Sequence, residues 1–341
     1  MLFQSRMQQE INSPVNLCSS DEKYFNCLKW NYEDPEIKTH YFSFLFQKGC
    51  STNFLLKPLR KLEPWAGFYK DHKITFFLGE LLKGLKNRKV RSSLHPVYFC
   101  CVNEFSDNFF HWFTEAIPKM IFIKEHYNPA AKFYIPFGLK DYQRFTLKIC
   151  GLDFYEAKSE VTFFYKLKAV ENLYKYPGYY HKGLMKETAR LMKKSFIKGN
   201  KKRKIYVTRR NAARRRIINE ENLVDVLLKN DFEIFDFDLI DFEKQVEILV
   251  DTDLLVSLHG AALTNMIFMG AGSTIIEFLP KAIYNDKCYF ILAGTMNHNY
   301  YYVSCDMNGV SHITSDFVVD TFEFEKVLAN AIAGTFKRLS S

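Results

Sequence analysis

At 341 residues the chain is too long for one minimal core and suits two α/β domains of ordinary size. Its 48% hydrophobic and 25% charged residues are those of a folded globular protein, which excludes a disordered or fibrous chain. The formal charge of +9 is uneven: residues 198–216 hold much of the excess, so the sequence expects one anionic partner there, whether nucleic acid, membrane surface or a phosphate-bearing ligand.

The first hundred residues show short β-like runs at 41–46 and 74–78, broken by Pro58, Pro64 and several glycines. A clearer strand follows at 97–102, apolar throughout as a buried parallel strand would be. Asp107 or Asn108 can cap the next helix, in which Phe109, Trp112, Phe113, Ala116, Met120 and Ile123 recur at helical spacing. A strand at 132–135, a helix at 139–150 stopped by Gly151, and strand-like residues at 161–165 come next. An amphipathic helix at 183–197 leads into a Lys/Gly-rich stretch at 198–202, the best candidate for an interdomain linker.

Beyond it the alternation is regular, with strands at 205–208, 232–235, 254–257 and 274–278 and helices at 219–229, 242–250 and 262–268. That pattern predicts a doubly wound sheet with a ligand crevice at the strand C-termini. A closing helix is expected over 318–336. The expected domains are therefore 1–197 and 198–341, the final helix being free to pack back on the first.

Three constellations carry chemistry. In the first, an apolar strand ends at His259, and Gly260, Ala261 and Ala262 lead into a helix with Thr264 and Asn265. Free N–H groups at such a helix start suit a diphosphate, and the small residues leave it room. The second lies between a strand and a helix: Thr208, Arg209, Arg214, Arg215 and Arg216, then Asn219 and Glu220. Arginine's planar fork matches phosphate oxygens, and clustered guanidinium groups repel one another unless an anion compensates. In the third, His111 and Glu115 are four apart on one helix face, where a carboxylate can orient an imidazole as a general base; Asp107 is the second candidate. Each also has a plain reading, as a β-α turn, a solvated basic loop and a satisfied core histidine.

Two Asp-x-Asp pairs, Asp236 with Asp238 and Asp251 with Asp253, read as turn and cap residues. The eight cysteines lack metal-ligand spacing, so no metal site is expected.

Together these motifs resemble glycosyltransferase family 61. The resemblance rests on His111, Trp112, Glu115 and Pro118; on Thr208, Arg209, Arg214–Arg216, Asn219 and Glu220; and on Gln245, the run from His259 to Asn265, Gly272-Ser273, Glu277 and Pro280. It implies a GT-B-like α/β fold of two Rossmann-like domains facing across a cleft, and transfer with inversion at the anomeric carbon. It also implies a nucleotide sugar as co-substrate, UDP-linked by preference; no cofactor and no metal are expected beside it. The expected roles are base chemistry by His111, Glu115 and Asp107. Donor binding falls to Arg209, Arg214, Arg215, Asn219, Glu220, His259, Gly260, Ala261, Ala262, Thr264, Asn265 and Glu277.

The expected acceptor is a glycan or lipid-linked glycan of a surface polysaccharide such as capsule or lipopolysaccharide. Two alternatives stay open: a pyruvyl-type transferase on the same architecture, and a nucleic-acid-binding protein using Lys198–Arg216. The latter would want exposed aromatics interleaved with the basic residues, and none is apparent, so nucleic acid is not an expected partner. No run reaches the roughly 18–20 apolar residues of a membrane span, and residues 1–17 lack an apolar leader core. The expected location is the cytoplasm, with the positive charge suited to the inner face of an anionic membrane.

Overall fold

The computed structural model describes residues 7–17, 19–21, 23–25, 28–32, 36–48, 52–56, 90–93, 98–103, 105–135, 138–156, 161–171, 178–197, 199, 201–311 and 314–339. Contacts group the chain into two compact units, residues 35–173 and residues 1–34 with 174–341. This division differs from the expected one at 197/198. A helix predicted for the N-terminal domain, and the first strand of the chain, both belong to the C-terminal unit.

The chain opens with antiparallel β1 (Met7–Ile11) and β2 (Leu28–Tyr32). Ile11 is buried against Gly294, where an added Cβ would lie 2.5 Å from the isoleucine Cγ2. A glycine at 294 is what lets this strand reach the C-terminal unit.

Residues 35–173 form a mixed sheet from β3 (Glu36–Lys48), β4 (Thr52–Leu56), β5 (Val90–Ser93), β6 (Tyr98–Cys100), β7 (Lys132–Ile135), β8 (Asp153–Glu156) and β9 (Val161–Glu171). Its order is β4-β3-β9-β6-β7-β8, with β5 also pairing β9. The strand expected at 41–46 lies inside β3, and the run at 74–78 falls outside the described residues. Helix α1 spans residues 109–127, and α2 (Asp141–Ile149) ends before Gly151, which takes φ 60° as a helix stop requires. Two stretches of α1, Trp112–Ala116 and Ile123–Tyr127, widen into π turns that periodicity does not reveal. Pro118 has no N–H for the Thr114 carbonyl, and the first π turn sits directly ahead of it.

The C-terminal unit is built on a second sheet. Its strands are β10 (Arg203–Val207), β11 (Glu233–Phe235), β12 (Thr252–Leu258), β13 (Thr274–Pro280), β14 (Asn299–Asn308) and β15 (Asp316–Val319), in the order β11-β10-β12-β13-β14-β15. All pairs are parallel except β14 with β15. Alternate residues feed two cores. On one face Leu254, Val256, Ile276 and Phe278 meet Leu223 and Leu227 of α4 (Glu220–Lys229) and Phe324 and Leu328 of α7 (Thr321–Leu339). The opposite face carries α3 (Lys182–Lys193), α5 (Phe242–Val250), a 3₁₀ helix at Ala261–Phe268 and α6 (Cys288–Thr295). β12 and β13 are buried along their whole length, as strands covered on both faces must be.

The predicted closing helix over 318–336 needs correction. Its first residues form β15, and Asp320 caps α7 by accepting from the Phe322 and Glu323 N–H groups at 2.9 and 3.1 Å. The alternating, β-branched run Asp316–Val319 fits a strand, and the helical period begins only after the cap. α7 buries Phe324, Val327, Leu328 and Ala331 in the core of its own unit.

Phe278 is fully buried, with ring centroids 5.0 Å from Phe324 and 6.2 Å from Tyr206. Phe278→Ala should cost about 3–5 kcal/mol of unfolding free energy, measured by urea denaturation.

Candidate functional site

In the C-terminal unit the strand order reverses at β10: β11 lies on one side of it and β12, β13 and β14 follow on the other. The crevice outside the C-terminal ends of the strands at such a reversal is where doubly wound sheets hold ligands. Thr208 and Arg209 leave β10 there, and His259 leaves β12.

The loop at 208–219 is anchored at both ends. Tyr206 and Thr208 hydroxyls both donate to Glu220 Oε1 at 2.6 Å, and Arg210 Nε donates to Glu220 Oε2 at 3.4 Å. Arg216 pairs with Asp316 at 3.0 Å, and Asn219 exchanges two hydrogen bonds with the Val319 backbone. The polar atoms of Asn219 and Glu220 are thus engaged inside the protein, where they shape the loop.

Between these anchors the loop turns the guanidinium groups of Arg209 and Arg215 inward. Arg209 Nε donates to the Arg215 carbonyl at 3.2 Å, and Arg215 Nη2 donates to the His259 carbonyl at 2.6 Å, joining the loop to β12. Arg215 sits at φ 60°, a left-handed conformation costly to a residue with a Cβ. Burial, together with Arg209 and Arg214, pushes its guanidinium below its usual range. Arg214 is exposed. Among the described residues no carboxylate pairs with Arg209, Arg214 or Arg215, and Arg215 Nε is buried without a partner.

His259 is held differently from expectation. Nδ1 lies 2.5 Å from Glu277 Oε1, and Nε2 lies 3.6 Å from Asp286 Oδ2, so two carboxylates flank the ring. Glu277 Oε2 accepts from the Tyr300 hydroxyl at 2.7 Å, and the Tyr289 ring packs edge-on 5.0 Å from the imidazole. Burial opposes charge on His259, but Glu277 and Asp286 outweigh it and raise its pKa to about 9. Asp286, which burial would raise, is held at about 2 mainly by the bond to His259. Glu277, expected among the donor-binding residues, has both oxygens engaged by His259 and Tyr300.

Gly260 leaves β12 at φ 159° and ψ 178°, and a Cβ there would lie 3.8 Å from Arg209 Nη1. Ala261 opens the 3₁₀ helix, whose first N–H groups have no intrahelical acceptor. Thr264 and Asn265 are buried; the Asn265 amide donates to the Ala262 carbonyl at 3.0 Å, and its Oδ1 has no partner.

His259, Asp286 and Cys288 have ligand atoms within 4.8 Å of one another, the one such group among the described residues that could hold a metal ion. Neither Asp-x-Asp pair belongs to it. Asp236 caps a short 3₁₀ turn and accepts from Asn211, and Asp253 lies in β12 near its start.

The third constellation lies in the other unit. His111 Nδ1 is 2.7 Å from Glu115 Oε1, and Asn103 Nδ2 donates to Glu115 Oε2 at 3.1 Å. Burial raises the Glu115 carboxyl, but His111, Asn103 and Lys119 outweigh it and hold it below the usual range. Nε2 of His111 has no partner among the described residues. Asp107 uses its backbone carbonyl to accept from Lys140 and Tyr142.

The model of the family described as Glycosyltransferase 61 matches residues 109–276, a span running from His111 through the arginine loop to β13. The chain belongs to that family. No curated protein matches it. A family 61 glycosyltransferase acts on a donor and an acceptor substrate, and all three constellations fall within or beside the matched span. Asp286 and Tyr300, beyond it, escaped the sequence analysis because no motif follows Pro280.

Three outcomes test this geometry. Arg215→Gly, which relieves the left-handed backbone, should be more stable than Arg215→Ala by about 1 kcal/mol in chemical denaturation. His259, ordinarily near 6.5 in an unfolded chain, has its pKa raised by folding, so its contribution to stability is fully present below pH 6.5. That contribution should fade as pH rises through about 9. Asp286→Asn should lower the His259 midpoint, read from its imidazole proton resonance.

Proposed function

We propose that the chain transfers a sugar from a nucleotide-sugar donor, UDP-linked, to a hydroxyl group of a glycan or lipid-linked glycan acceptor, with inversion at the anomeric carbon. The observation that carries the donor reading is the set of three arginines at the strand-order reversal of a family 61 chain, without a carboxylate partner among the described residues and with one buried donor unfilled. A diphosphate supplies the missing negative charge, and the open N–H groups at Ala261 and Ala262 add donors to it.

The reaction proposed is a single displacement. His111 Nε2 takes the proton from the acceptor hydroxyl, whose oxygen forms its bond to the anomeric carbon as the bond to the diphosphate oxygen breaks. Glu115, bound to Nδ1, fixes the imidazole with Nε2 as the accepting atom and stabilises the imidazolium. Arg209, Arg214 and Arg215 meet the charge that develops on the leaving diphosphate. His259, held charged by Glu277 and Asp286, keeps its carbonyl where Arg215 needs it.

This reading includes a GT-B-like fold and a leaving group stabilised without a metal. It also includes surface-polysaccharide synthesis at the cytoplasmic face of a membrane. No helix among the described residues is long and apolar enough to cross a membrane, so attachment would run through surface charge.

The test is release of nucleoside diphosphate from a panel of nucleotide sugars, with and without EDTA. Arg209→Ala should raise donor KM tenfold or more with a smaller change in kcat. His111→Ala should lower kcat by about 10²–10⁴-fold at similar KM. Full turnover by His111→Ala would remove it as the base. Loss of activity in EDTA would transfer the leaving-group role to a metal, with His259, Asp286 and Cys288 the group to examine first.

A further inference from the structure

The loop that precedes α1 has no role in the chemistry above, yet its polar groups are closely bonded. Asn103 Oδ1 accepts from the Phe105 N–H at 3.1 Å and from the Ser106 hydroxyl at 2.9 Å, while the Asn103 N–H donates to Ser106 Oγ at 2.9 Å. The Phe105 carbonyl accepts from the Asn108 N–H at 2.9 Å. Gln143, fully buried, donates to the Ser106 carbonyl at 3.0 Å. All this order surrounds an aromatic ring left 54% exposed, that of Phe105.

A single exposed apolar side chain is ordinary. An exposed ring on a backbone pinned from both sides, against a functional imidazole, is less so. The Phe105 and His111 rings lie 5.3 Å apart at 32°, while Phe110 meets His111 edge-on at 5.1 Å. The same Asn103 that fixes the Phe105 backbone also donates to Glu115, the carboxylate that orients His111. One side chain therefore sets the base and the exposed ring in register.

We infer that Phe105 is the platform on which the acceptor's sugar ring stacks, making Asn103, Phe105 and His111 an acceptor saccharide subsite. The inference rests on the transferase reading of His111. A pyranose presents polarised C–H groups on one face and hydroxyl groups at its rim. The negative face of a phenyl ring attracts the C–H face and contributes no polar group that would compete for the rim hydroxyls. A sugar so placed would bring a rim hydroxyl within reach of Nε2, the imidazole nitrogen that Glu115 leaves free. Asn103 is then a positioning residue, and Phe105 a specificity residue that favours acceptors with an unsubstituted C–H face.

The experiment compares the wild-type chain with Phe105→Ala and Phe105→Trp, first for binding to an array of neutral oligosaccharides. The best-bound glycan then serves as acceptor, with slow hydrolysis of the donor by water measured in parallel. Phe105→Ala should weaken glycan binding and raise acceptor KM at least tenfold, leaving donor hydrolysis and melting temperature unchanged; Phe105→Trp should retain binding. If the alanine variant binds and transfers like wild type, or loses hydrolysis in step with transfer, Phe105 is no platform. If the wild type turns over no nucleotide sugar but binds glycans through Phe105, the platform stands and the transferase reading falls. Absence of glycan binding to the wild type at millimolar concentration overturns the platform itself.

Discussion

Like charges held together in a partly buried loop are unstable without compensation, and the C-terminal unit is organised around one such cluster. Arg209, Arg214 and Arg215 lie where the strand order reverses, and Arg215 is held there at a left-handed backbone angle by its bond to the His259 carbonyl. Protein carboxylates do neutralise the rest of the loop: Glu220 takes Arg210 and Asp316 takes Arg216. Among the described residues the compensation stops at Arg209, Arg214 and Arg215. Under the proposed function their charge meets an anion with several oxygens, which fits the fork geometry best.

The rest of the unit keeps that cluster in place. The fully buried strands β12 and β13 give the His259 carbonyl a rigid mount. Glu277 and Asp286 bracket the imidazole, and Tyr300 closes the network behind Glu277. A charged histidine in a buried setting is costly unless negative charge compensates it, and here two carboxylates flank the ring. The loop's two ends are sealed by Glu220 and by the Asn219 bridge to β15, so its conformation does not depend on bound ligand alone. In the other unit, His111 and Glu115 repeat the economy on a smaller scale, with Asn103 binding the carboxylate oxygen that His111 leaves open.

Much of this was legible in the sequence because it follows from periodicity and local chemistry. The β-α alternation after residue 203 foretold the parallel sheet, and the pairing of His111 with Glu115 follows from their spacing on a helix. What stayed hidden depends on contacts distant in sequence. Nothing in a β-α turn says that His259 will be flanked by Asp286, or that Asn219 will bond to a backbone one hundred residues away. The π turn in α1 is a local consequence of Pro118, yet apolar spacing alone does not mark it. β15 was missed because its short β-branched run abuts the helix and shares its apolar character. The first strand joins the C-terminal unit through Ile11 and Gly294, a pairing no motif announces.

The central claim is that the unpaired arginines bind the diphosphate of a nucleotide donor. Thermal unfolding of the wild type and Arg215→Ala, with and without UDP, CMP or GDP, tests it most directly. At a hundred times its dissociation constant a nucleotide should stabilise the wild type by about 2.7 kcal/mol, and the shift should shrink sharply in Arg215→Ala. No shift with any nucleotide, alongside a clear one with RNA or an acidic glycan, would assign the cluster to another partner and contradict the account.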